Sequence, residues 1–108
     1  AQDSINDPWY PLGNGNLMNV LDNGIHLTHL ASYEEIEKSF DLITYNGAKT
    51  MMIDDYGLEV GKSANFIVLD ESDEFEAVRK RAGVLASVRN GDFLFRRREP
   101  EYDIPLII

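Results

Sequence analysis

The spacing of apolar positions changes along this chain, and each change marks a different kind of structure. Up to Gly15 the apolar residues follow no period. Asp7-Pro8, Pro11 and Gly13-Asn14-Gly15 give turn signals in quick succession, so this stretch reads as a loop. From Leu17 onward, Leu17, Met18, Val20, Leu21, Ile25, Leu27 and Leu30 fall at helical spacing, with Asn16 placed to cap the start and Gly24 weakening the middle. Ser32-Tyr33-Glu34-Glu35 has the form of a capping box, and Ile36, Phe40 and Ile43 fall on one face behind it. They predict a second helix that ends near Asn46-Gly47 or runs on to Lys49.

The texture changes near Asp54-Asp55-Tyr56. Gly57 to Lys62 is rich in turn residues. Ala64 to Leu69 is a short, nearly continuous apolar run with a β-branched pair at its centre, which predicts a strand buried on both faces. An acidic loop follows from Asp70 to Glu74, and Phe75, Val78 and Arg79 fit one short helix. Val84 to Arg89 and Asp92 to Phe95 flank Asn90-Gly91, a strong two-residue hairpin signal. The apolar end, Ile104-Pro105-Leu106-Ile107-Ile108, suggests docking onto a surface. Helices before the boundary and a hairpin-containing β region after it place the chain in the α/β class.

Size and charge narrow what such a chain can do. At 108 residues it is one domain or a piece of one, and 44% hydrophobic content is ordinary for a folded protein. Acidic residues outnumber basic ones 19 to 10, for a net charge of -9. That balance argues against nucleic acid or an anionic membrane as a partner, since both call for positive charge. The short run Arg96-Arg97-Arg98 reads as a solvated strand end rather than an anion site. There are no cysteines, which excludes disulfides, thiolate metal sites and cysteine nucleophiles. It also excludes the small zinc deaminases built on a Pro-Cys-x-x-Cys motif. The absence suits a reducing compartment, and no apolar run reaches membrane-spanning length, so the expected location is the cytoplasm.

The opening is where chemistry concentrates. Ala1 to Trp9 crowds a carboxylate (Asp3), a tight polar turn and an aromatic into nine residues, with no initiator Met. This reads as one edge of an active site, and the chain is expected to be cut from a larger protein. His26 and His29 lie three apart on the first predicted helix and could suggest metal ligation; the expectation is a structural or surface role.

Two stretches carry a family resemblance. Ile43-Thr44-Tyr45-Asn46-Gly47-Ala48-Lys49-Thr50, followed by Gly57-Leu58-Glu59-Val60-Gly61-Lys62-Ser63-Ala64-Asn65-Phe66-Ile67-Val68-Leu69-Asp70, resembles the C-terminal signature of the amidohydrolase superfamily. The hairpin at Ser87-Val88-Arg89-Asn90-Gly91 is similar to that family's final strands. Asp3-Ser4-Ile5-Asn6-Asp7-Pro8-Trp9-Tyr10-Pro11-Leu12-Gly13 resembles the loop after the eighth barrel strand in the bacterial cytosine deaminase branch. The resemblance reaches to about Phe95.

The resemblance implies a fold: the C-terminal fragment of a (β/α)8 metal-dependent hydrolase barrel, followed by part of a small β-sandwich. Residues 1–55 would be the end of the barrel domain, and residues 56–108 the sandwich strands and tail. It implies that Asp3 binds a divalent metal, Zn or Fe, and moves a proton of the metal-bound water, so that Asp3 is both metal ligand and catalytic residue. Trp9 matches an aromatic of the substrate-pocket wall. Ser4 stands where those deaminases carry a second Asp close to the pyrimidine ring, so the implied substrate is cytosine or a related amino-substituted N-heterocycle. His26 and His29 match no family ligand. A His-x-His pair, two further histidines and a glutamate would have to come from outside this chain. The expectations are therefore hydrolytic deamination by the full-length parent, no activity and no tightly bound metal in the 108 residues alone, and homo-oligomers formed through exposed strand edges. The alternative is a non-catalytic interaction or scaffold module of the same ancestry.

Overall fold

Asn16 starts the first helix by accepting a hydrogen bond from the Met18 N–H at 3.0 Å, which satisfies one of the amides that a helix start leaves open. In the computed structural model, which describes residues 3–105, this helix, α1, spans Leu17–Thr28 and runs straight through Gly24. Thr28 Oγ1 donates to the Gly24 carbonyl at 2.7 Å, and His29 ends the helix in a left-handed conformation (φ 58°). Met18, Leu21 and Ile25 form its buried stripe.

The second helix, α2 (Tyr33–Ile43), begins with the expected capping box. Ser32 Oγ accepts from the Glu35 N–H at 3.2 Å, and Glu35 Oε2 accepts from the Ser32 N–H at 3.0 Å. These bonds, the Ser32 backbone N–H first, hold the Glu35 carboxyl below its ordinary value. The helix stops sooner than its pattern suggests. Thr44 leaves the helical region (φ -125°, ψ -97°) and its hydroxyl donates to the Phe40 carbonyl at 2.6 Å. Such back-bonding competes with the backbone ladder and bends helices. A separate short helix, α3 (Tyr45–Thr50), follows.

The stretch between helices and sheet is pinned by side chains. Asp55 accepts from the Ser63 N–H at 2.8 Å and from the Ser63 hydroxyl. Lys62 Nζ donates to the Tyr56 carbonyl at 2.6 Å, and Tyr56 meets Tyr45 edge-on with ring centroids 5.5 Å apart. Gly57 (φ 113°) passes so close to the Tyr45 ring that a Cβ would sit 3.2 Å from Cε1. A side chain there would be strained by both conformation and contact.

The sheet has three antiparallel strands in the order β1 (Phe66–Leu69), β2 (Val84–Arg89) and β3 (Asp92–Arg96). Asn90 and Gly91 both adopt positive φ (50° and 83°), as a two-residue hairpin turn needs. Asn65 Oδ1 accepts from the Asn90 N–H at 2.8 Å, and the Gly91 N–H donates to the Ala64 carbonyl at 3.1 Å, so the residues before β1 hold the hairpin tip. Helix α4 (Glu74–Arg79) lies between β1 and β2, capped by Asp73, whose Oδ1 accepts from the Glu76 N–H at 2.8 Å.

The core joins the two halves. Met18, Leu21 and Ile25 of α1 pack with Ala77 and Val78 of α4 and with Ala82. Ile36, Phe40, Ile43 and Leu69 close around them, half-buried or nearly so. The sheet behaves differently. The strand at 64–69 was expected to be buried on both faces, yet Phe66, Ile67 and Val68 are exposed and only Leu69 is half-buried. The physical reason is its place at the sheet edge, where the described residues offer no second layer to cover it. Strand β3 is exposed throughout. At the apolar end, Ile104 is exposed, and Leu106, Ile107 and Ile108 lie outside the described residues, as do Ala1 and Gln2.

Two outcomes follow. Leu21→Ala removes a side chain from the centre of the core and is expected to lower unfolding free energy by about 2–5 kcal/mol, read from urea denaturation. The uncovered strands β1 and β3 invite pairing with other chains, so these 108 residues alone should show concentration-dependent association in sedimentation; a monomer at every concentration would count against that.

Candidate functional site

Asp7 organises the opening loop. Its Oδ1 accepts from both the Trp9 N–H and the Tyr10 N–H, each at 2.9 Å, and its own N–H reaches the Tyr10 carbonyl at 3.4 Å. This is the local turn that an Asp can build across a following proline, whose ring presets the backbone. The Tyr10 N–H is the largest influence holding the Asp7 carboxyl below its ordinary value; partial burial opposes it, and the Ser4 side chain and the Trp9 N–H add to the lowering. Asn6 precedes the turn at φ 51°, a conformation Asn tolerates better than most residues. Further on, the Ile5 side chain lies against Gly15, so the loop closes back on itself just before α1.

The loop, α1 and Arg81 border an open cavity of about 600 Å³. Asp3, Ser4 and Tyr10 of the loop line it together with Asn19 and Asn23 of α1 and with Arg81. Asp3 is exposed and Ser4 is half-buried. Arg81, left-handed at φ 52° beyond the end of α4, donates from Nε to Asp22 Oδ2 at 3.1 Å. Asp22 also meets His26 Nε2 at 3.3 Å. Asp22 and Arg81 both line the cavity. A larger groove of about 1270 Å³ runs along the sheet, lined by Phe40, Phe66, Val88 and Phe95 among others. Its chiefly apolar wall is the uncovered sheet face, and it does not include Asp3.

The structure therefore brings Asp3 and Ser4 to one cavity but sets Trp9 apart: its side chain is 90% exposed and lines neither space. Tyr10, not singled out from the sequence, takes a place in the wall. Asp7 was read only as a turn signal; the Asp-Pro pair ahead of two aromatics was the available clue to its larger role. His26 and His29 are both exposed surface residues, the first paired with Asp22 and the second ending α1.

A metal centre of the hydrolytic kind needs about three protein ligands. Among the described residues no three His, Cys, Asp or Glu side chains converge to hold a metal ion. The residues present do not by themselves fit such a site, and Asp3 could be at most one of its ligands. No helix among the described residues is long and apolar enough to cross a membrane.

Comparison with known proteins gives a consistent answer. The model of the Amidohydrolase family matches residues 1–95. An N-isopropylammelide isopropyl amidohydrolase from Pseudomonas sp. (strain ADP) is 30% identical over 97 residues, 89% of this chain and 24% of that protein. A crystal structure of 5-methylcytosine deaminase from Klebsiella pneumoniae liganded with 5-fluorocytosine is 43% identical, with a TM-score of 0.89 over 97% of this chain and 26% of that one. The same enzyme liganded with phosphonocytosine is 44% identical with a TM-score of 0.88 over the same shares, 97% and 26%. The chain thus spans about a quarter of the length of the proteins it matches.

The loop makes a pH-dependent prediction. Because the folded Asp7 carboxyl titrates below its ordinary value of 3.8, the turn contributes stability above that value and loses it as pH falls through the folded one. In carbon-detected NMR the Asp7 carboxyl midpoint is expected below 3.8, with the Trp9 and Tyr10 amide shifts following the same curve. A midpoint at or above the ordinary value would remove the turn as described.

Proposed function

Because the chain belongs to the amidohydrolase family, we propose that it forms part of a longer enzyme that hydrolytically deaminates an amino-substituted N-heterocycle. Residues 1–55 contribute the last strand loop and helices of the catalytic barrel, and residues 56–108 contribute strands and tail of a small β-sandwich. The observation that supports this most is the deaminase-like backbone, with a TM-score of 0.89 at 43% identity across nearly the whole chain, in which Asp3 and Ser4 share a cavity.

In this reading Asp3 would be one ligand of a divalent metal, Zn or Fe, which when bound would supply an activated water near neutral pH. Its remaining protein ligands belong to the rest of the longer protein. Asp3 contributes one carboxylate. Placed beside the reacting carbon, it takes a proton from the attacking water and hands one to the departing amine. The C–O bond forms, the C–N bond breaks, and water plus the amino-heterocycle become the oxo-heterocycle plus ammonia. The 108 residues alone are inactive and hold no metal tightly, because they supply one ligand where about three are needed.

Ser4 sets the substrate. A serine is smaller than an aspartate and carries no charge, so it leaves room beside the ring and offers a neutral hydrogen bond. A substituted aminopyrimidine suits that space better than cytosine itself. The solved relative is a 5-methylcytosine deaminase, which makes 5-methylcytosine the first substrate to try; the Pseudomonas relative, an N-isopropylammelide amidohydrolase, makes an aminated triazine the second. Trp9 closes the pocket once the rest of the enzyme covers it.

Steady-state assays of the longer protein test this directly. Asp3→Ala is expected to abolish turnover of every substrate. Ser4→Asp is expected to shift the kcat/KM ratio toward cytosine by roughly ten- to hundredfold, the equivalent of about 1–3 kcal/mol in one polar interaction. A parent that already prefers cytosine would remove Ser4 from the account, and an active Asp3→Ala would remove the catalytic assignment.

A further inference from the structure

Trp9 poses a physical question. Its side chain is 90% exposed, so packing within this chain does not hold it in place. Its backbone, in contrast, is fixed: the Trp9 N–H and the Tyr10 N–H both donate to one oxygen, Asp7 Oδ1, at 2.9 Å each. Tyr10 lines the cavity that holds Asp3 and Ser4, and Ser4 neighbours the same Asp7 carboxylate. One half-buried side chain thus touches the segments carrying each residue assigned to the substrate, and it does not itself line the cavity.

We propose that Asp7 is the positioning residue of this site: by accepting the Trp9 and Tyr10 amides it sets where Trp9, Tyr10 and Ser4 stand relative to Asp3. This rests on the substrate-side reading of Ser4 and Trp9 given above. Asp7 acts through geometry, not through its charge. An Asx turn needs a short side chain with an acceptor oxygen three bonds from Cα, a requirement Asn meets and Glu, with one more bond, does not. The two substitutions therefore separate the possibilities. Asp7→Asn keeps the acceptor and loses the charge; Asp7→Glu keeps the charge and displaces the acceptor by one methylene.

The test measures kcat, KM and metal content for Asp7→Asn, Asp7→Glu and Asp7→Ala in the longer protein, on 5-methylcytosine and cytosine, with Asp3→Ala alongside. Misplaced substrate-positioning groups cost up to about a hundredfold in rate terms. Asp7→Glu and Asp7→Ala are expected to raise KM roughly tenfold or more while metal content stays at the parent level. Asp7→Asn is expected to restore KM to within about threefold of the parent. Parent-like KM in Asp7→Glu would overturn the proposal, as would an Asp7→Asn as impaired as Asp7→Glu, since charge would then be what matters. Loss of metal in step with activity would also overturn it, because Asp7 would then support the fold as a whole. If Asp7→Ala does not accumulate, the Asn and Glu pair decides alone. An inactive Asp3→Ala beside an unaffected Asp7→Glu defeats only the positioning role; an active Asp3→Ala defeats the reading beneath it.

Discussion

Three side chains of α1 meet three small or branched residues around α4, and the rest of the molecule hangs on that contact. Met18, Leu21 and Ile25 pack on Ala77, Val78 and Ala82. Ile36, Phe40 and Ile43 of α2 pack against the same cluster, and the apolar area it removes from water supplies the main attraction between the two halves of the chain. Arg81, just beyond α4, then reaches Asp22 on α1 at 3.1 Å. That exposed pair adds little energy, but it gives the packed helices a polar edge. The cavity beside Asp3 uses that edge as a wall.

The site itself is built on irregular backbone. Loops carry chemistry when a rigid scaffold positions them, and here the scaffold is α1, anchored at its buried stripe and capped by Asn16 immediately after the loop ends. Within the loop, order comes from side-chain-to-backbone bonds centred on Asp7, with Asn14 Oδ1 accepting the Asn16 N–H at 2.9 Å at the far end. The sheet plays no part in lining that cavity. Its Phe66, Ile67, Phe93 and Leu94 are all exposed, so the sheet carries an open apolar surface on strands that do not touch the cavity.

Features encoded within a few residues were legible in the sequence. The capping box at Ser32 and Glu35, the cap at Asn16 and the Asn90-Gly91 turn each depend on neighbours three or fewer positions away, and each stands where its pattern put it. The break at Thr44 was not legible, because the helical spacing runs on past it; in the fold the Thr44 hydroxyl donates to the Phe40 carbonyl. Burial of β1 was misjudged for a different reason: an apolar run reports that a strand will be covered but not by what. At the site, the opening motif pointed to Asp3, Ser4 and Trp9. Proximity of Asp3 to Ser4 follows trivially from chain order, whereas Tyr10 and Arg81 share their cavity only because α4 folds back onto α1. No spacing rule could have found Arg81.

The Asp22–Arg81 contact spans 59 residues, and that separation shapes the order in which the molecule assembles. The hairpin closes through two residues, so its tip can form within microseconds. Joining α1 to α4 demands closure of a much longer loop, whose entropy must be spent before any core contact rewards it. During that interval Leu21, Ile25 and Val78 are exposed in addition to the strands, which stay open in the folded chain as well. Association is therefore open to the partly folded chain as well as to the folded one, and slow docking of α1 onto the rest of the core lengthens the time for which the larger apolar surface is offered.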